Sequence, residues 1–98
     1  MHLIDVVSER ESGPGWTFTI RLGRNESPRL LQVTLNWADY NLWSPDGRDQ
    51  PSVVIRAVVQ FLVARGHADD LPEQFDASLT RRHHRDADTV IPSMIGGS

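Results

Sequence analysis

Trp37-Ala38-Asp39-Tyr40-Asn41-Leu42-Trp43 gathers two of the three tryptophans and the only tyrosine of the chain. Large rings that carry one polar handle suit contact with a partner, or stacking on a ligand or base. Trp37, Tyr40 and Trp43 are therefore candidate partner- or ligand-binding residues, with Arg48 as a charged neighbour. The same rings would serve as core where a strand meets a helix, because small domains concentrate aromatics inside. If the segment is a loop it cannot bury every ring, and Tyr40 and Trp43 are the two expected at the surface.

A second constellation is Arg81-Arg82-His83-His84-Arg85. Three arginines in five residues could hold a phosphate or another anion, and the histidines would add charge below about pH 6.5. Carboxylates flank the island on both sides: Asp69, Asp70, Glu73 and Asp76 before it, Asp86 and Asp88 after it. No aromatic residue is interleaved. A solvated, self-compensated surface run is the simpler reading.

Metal chemistry finds little support. His83 or His84 with Asp86 or Asp88, joined by His67, could supply nitrogen and oxygen ligands. No i,i+4 pair of histidines exists, and His84 with Asp88 at that spacing gives two ligands, short of the four of a closed zinc site. No metal site is expected. Catalysis finds less. Ser44, Ser52 and Ser78 lack a nucleophile elbow, and no Gly-rich phosphate loop precedes a helix, so no cofactor is assigned. Asp39, Asp46 and Asp49, near Arg48, suit turn formation and helix capping.

The overall numbers bound the rest. The chain has 98 residues, 39% hydrophobic and 23% charged, which suits one globular domain. There is no cysteine, hence no disulfide framework and no thiol nucleophile. All ten basic residues are arginine, the composition expected of a GC-rich bacterial gene. No apolar run approaches the ~20 residues of a membrane span, and no charged-then-apolar stretch opens the sequence, so a cytoplasmic location is expected. Residues 1–66 carry seven acids and seven arginines, and residues 67–98 carry six acids and three arginines. The whole net charge of −3 therefore sits in the last third, which argues against general nucleic-acid binding.

These side chains need elements to position them. Leu3 to Arg10 reads as a strand with imperfect alternation. Ser12-Gly13-Pro14-Gly15 supplies a turn. Trp16, Phe18, Ile20 and Leu22 alternate with polar residues, as do Leu31, Val33, Leu35 and Trp37 after a turn at Gly23 to Pro28. Ala38 to Gln50 reads as a connection. Pro51 stands where a helix takes its first residue, with Gln50 or Asp49 as cap and Gly66 as stop. Ser52, Arg56 and Gln60 mark one narrow polar stripe, and the remainder through Ala64 is apolar. Such a helix must be covered on more than one side. Either the C-terminal segment or a second copy docking on Val53–Val63 has to provide the second cover. Beyond it, Phe75 is the expected plug, Asp76 a cap for a short helix through Arg82, and Asp88 a cap for a turn ending near Ile95. Gly96-Gly97-Ser98 reads as a frayed end.

The expected fold is α+β: a three-stranded antiparallel meander on one long helix over residues 1–66, with residues 67–98 as an extension of short helical turns. The leading functional expectation is a non-catalytic interaction or regulatory module with a protein partner, using the aromatic segment or the outer helix face. A nucleic-acid-binding regulator working through Arg81 to Arg85 is the alternative. A small-molecule binder or enzyme at the Trp37–Trp43 loop is the third reading.

Overall fold

The computed structural model describes residues 3–23 and 28–96, with side chains at most of them. Its elements run β1 (Leu3–Ser12), β2 (Gly15–Gly23), β3 (Arg29–Asn36), α1 (Trp37–Trp43), α2 (Pro51–Ala64), β4 (Gln74–Asp76), α3 (Ser78–His83) and α4 (Ala87–Gly96). The expected α+β meander is present: β1, β2 and β3 pair antiparallel in chain order. The turn expected at Gly23 to Pro28 falls mainly on residues 24–27, outside the described set. So does the frayed end, apart from Gly96, which closes α4.

Period-two patterning settles which face is covered. Trp16, Phe18, Ile20 and Leu22 of β2 and Leu31, Val33 and Leu35 of β3 are all buried on the inner face. Thr17, Thr19 and Gln32 fall on the other face, which carries no large buried side chain. The imperfect alternation of the first strand has a cause. The register shifts between Val6 and Ser8, so Val7 is the extra residue of a bulge and is left exposed. Gly15 opens β2 because nothing larger fits there. A Cβ would stand 2.0 Å from the carbonyl oxygen of Leu35.

Two elements differ from expectation. The connection after β3 is not a loop at its start: residues 37–43 form α1. Asn36 caps it, its side-chain oxygen accepting from the Asp39 amide at 2.9 Å. The Trp37 amide donates to the carbonyl of Pro14 at 2.8 Å, fastening the helix start to the first hairpin turn. The second difference is β4. It adds to β3 in parallel, with Val33 opposite Phe75. The amides of Gln32 and Ala77 donate to Glu73 and Thr34 at 2.7 and 2.8 Å, completing the ladder. Phe75 is half-buried against the core from within this strand.

Helix α2 lies over the inner face with Pro51 in its first turn, and Gly66 at φ +87° ends it in a conformation that suits glycine. Val54, Ile55, Val58, Val59, Phe61 and Leu62 are buried. The second cover is intramolecular: α4 packs along α2 and buries Ile91. Of the large apolar residues of α2, Val53 alone is exposed. Asp76 does cap the approach to α3, accepting from the Ser78 amide at 2.9 Å. Asp88 does not act as a cap. Its carboxylate turns inward to partners on other helices. No described helix is long and apolar enough to cross a membrane.

Candidate functional site

Three groupings of side chains stand out, two built around the short helices α1 and α3 and the third on the segments that follow α2 and α3. The first is an aromatic corner. Trp37 packs on Trp16 with ring centroids 4.5 Å apart, and Tyr40 meets Trp16 and Trp37 edge-on at 5.3 and 5.9 Å. Trp16 and Tyr40 are buried, and the Tyr40 hydroxyl donates to the Asp49 carbonyl. Trp37 remains 52% exposed. Because residues 37–43 form a helix, the rings divide by helix face. Tyr40 and Trp43 point into the core, and Trp37 and Leu42 stay at the surface. The expectation that Tyr40 and Trp43 would be the surface rings is therefore corrected. Arg48 lies away in the turn, loosely paired with Asp46 at 3.6 Å, and both are well exposed.

The second grouping is a polar knot. Trp43 is fully buried, and its Nε1–H donates to Asp88 at 2.9 Å. Arg81 donates through Nε to the same oxygen at 3.0 Å and through a terminal nitrogen to Asp39. Its guanidinium also lies 5.6 Å from the Trp43 ring. One arginine thus ties α1, α3 and α4 together. Partial burial opposes its charge, but the hydrogen bonds and charges of Asp88 and Asp39 outweigh that and raise the Arg81 pKa above its ordinary value. The Asp39 side chain is 3% exposed, and its second oxygen has no partner among the described residues. Arg81 therefore serves the interior. It is not the free anion contact that the basic run suggested. Arg82, His83 and Arg85 are exposed.

The third grouping is a chain of histidines. The Nε2 atoms of His67 and His84 face each other at 2.9 Å. Behind His67, both carboxylate oxygens of Asp70 stand 3.3 Å from Nδ1. Burial, followed by the neighbouring His67 and Arg65, holds the His84 pKa below its ordinary value, so its neutral form is favoured. Arg65 itself pairs with Asp86 and lies 4.5 Å over the Phe61 ring. Its hydrogen bond is the main reason the Asp86 pKa is lowered. The segment bearing His67 and Asp70 is pinned from below. Arg29 of β3 donates to the carbonyls of Ala68 and Leu71 at 3.0 and 2.5 Å.

Beside this chain opens a cleft of about 280 Å³. Leu62, Leu71, Pro72 and Leu79 supply its apolar wall, and His67, Asp70 and His83 its rim. It is small for a metabolite site, since such pockets run from about 300 to 1,000 Å³. The two facing nitrogens are occupied with each other, so neither presents a free base to a substrate.

The sequence allowed His83 or His84, with Asp86 or Asp88 and His67, as ligands but led to no expected metal site. The structure separates them: Asp86 goes to Arg65, Asp88 to Arg81 and Trp43, and Asp70 is the carboxylate at His67. No group of three or more His, Asp or Glu residues is gathered for a metal among the described residues. Arg29 was missed, and its partners are bare carbonyls about forty residues away, for which no sequence signal exists. Comparison with protein-family models, with curated proteins and with solved structures gives no match.

Proposed function

We propose that this chain is a non-catalytic interaction module that engages a protein partner through Trp37. The observation that supports it is the half-exposed Trp37 ring held on the buried rings of Trp16 and Tyr40. An exposed tryptophan on a rigid base offers a large contact area at little cost in conformational entropy, which is how binding hot spots are built. Glu11 pairs with Trp16 across β1 and β2 and is exposed, as is Glu9 opposite Phe18. Exposed carboxylates on the strand that pairs with Trp16, and an exposed ring packed on Trp16, suit a partner segment that brings a basic side chain beside an apolar one. The covering of α2 by α4 removes the main reason to expect a dimer through Val53–Val63.

Panning a random peptide library against the folded chain tests the reading. Selected peptides should carry Arg or Lys near an apolar residue. Trp37→Ala should weaken them at least about tenfold while circular dichroism stays native. Peptides that bind Trp37→Ala as well as the unmodified chain, or a library that yields no binder, would overturn it. Peptide binding lost instead on replacing Arg82 and Arg85, which are exposed at the end of α3, would move the contact away from Trp37 and overturn the reading as well.

A further inference from the structure

The histidine chain lies outside the proposed partner surface and has its own chemistry. We propose that His67 and His84 form a two-imidazole site for a divalent late transition-metal cation of the zinc class. Two imidazole nitrogens directed at one point are the geometric requirement for such a site. A cation bound at about 2.0–2.1 Å to each nitrogen with a tetrahedral angle sets them about 3.3 Å apart. The two Nε2 atoms stand at 2.9 Å with ring centroids 5.1 Å apart, so the rings point nearly at each other, and to take the cation they part by a few tenths of an ångström and tilt until both lone pairs meet at one point.

The surroundings suit the cation. Asp70 faces Nδ1 of His67 with both oxygens, which keeps the proton on Nδ1 and the lone pair on Nε2. This carboxylate–histidine arrangement is the usual outer support of a metal-bound imidazole. In the metal-free pair, His84 donates its Nε2–H to His67. On binding, that proton moves to Nδ1 of His84 through solvent, and the cation takes the two freed lone pairs with no change in protein charge. Arg65 is the nearby cation, and its charge is offset by Asp86. The His67 side chain is 33% exposed and borders the cleft, which gives a hydrated ion a path to its side of the pair. With two protein ligands the remaining positions belong to water. The site is therefore an exchangeable one, and the fold does not depend on it.

Calorimetric titration of the whole chain with zinc sulfate in chelator-free buffer is the test, read together with NMR of the histidine rings. The expected result is one zinc per chain, with the ring signals of His67 and His84 shifting and those of His83 staying in place. Magnesium should give no response, and copper should bind more tightly than zinc. His67→Gln and His84→Gln should each abolish the response, and Asp70→Asn should weaken it about tenfold. The NMR reading on the unmodified chain holds even if a variant misfolds. No zinc binding, or zinc shifts that spare His67 and His84, would overturn the site and leave the pair sharing only a proton.

Discussion

Arg81 and His84 stand one helical turn apart, yet the polar clusters they join follow different physics. The Arg81 knot uses permanent charges. Its carboxylate Asp39 is almost fully buried, and its partners Trp43 and Asp88 come from two other helices. The His67–His84 chain joins two imidazoles through a single contact, with His67 bordering a cleft and the His84 pKa held below its ordinary value. Taking a charge out of the knot leaves another charge buried without a partner. Taking an imidazole out of the chain leaves a polar group that water can reach. The first arrangement is hard to change and fixes the packing of three helices. The second can exchange what sits between its nitrogens. A run of five residues that reads as one basic island is thus divided among structure, site and solvent.

The contrast can be broken most severely at Arg81. Arg81→Ala leaves Asp39 buried and unpaired, which costs about 3 kcal/mol, the low end for such pairs because Arg81 is a third exposed. Urea unfolding that shows a loss below 1 kcal/mol would mean the knot is not structural. A smaller effect is expected from pH, measured with EDTA present. The His84 pKa is lowered in the folded chain, by burial first and then by positive neighbours. The unfolded chain therefore binds a proton more readily than the folded one. Stability from this group is complete above the unfolded value of about 6.5 and falls as pH drops through it toward the lower folded value. His84→Gln should flatten the urea midpoint between pH 7 and 5 relative to the unmodified chain, and an unchanged slope would contradict the lowered pKa. The least effect belongs to the solvent-facing members. Arg82→Ala and Arg85→Ala should each change stability by no more than about 0.5 kcal/mol, and a larger loss would show that the island is not partitioned as described.

What the sequence made legible follows from the range of each interaction. The meander was readable because period two spans seven residues in β2 and five in β3, ending where Trp37 opens α1, and one covered face makes that pattern unambiguous. Helix α2 was readable from Pro51 and Gly66, which act locally. Helix α1 escaped notice because it is only seven residues long and its buried positions, Asp39, Tyr40 and Trp43, include an acid. Asn36 with Asp39 three residues on was the available signal, an N-cap with an acid in the first turn. β4 is three residues with no alternation to detect, and its partner is forty residues earlier. The site residues follow the same rule. Trp43 meets Asp88 across 45 positions and His67 meets His84 across 17, and nothing in local pattern encodes either pairing. Residue type drew attention to Trp37–Trp43 and Arg81–Arg85, and both segments contribute side chains to the groupings described above. Which side chain faces in was decided by helix phase and by distant partners.

The parallel addition of β4 also has a consequence for the entropy of chain closure. β1, β2 and β3 can pair through short turns, so their loop-closure cost is small. β4 meets β3 only by closing a loop of about forty residues that holds α1 and α2, so the pairing of Val33 with Phe75 carries a larger closure cost than the hairpins. The segment that carries His67 and Asp70 is pinned by Arg29 just before this strand. His84 follows directly after α3, which β4 leads into. The two imidazoles therefore sit on the two segments that flank β4, and their meeting depends on this long-range closure more than on the hairpins of the meander.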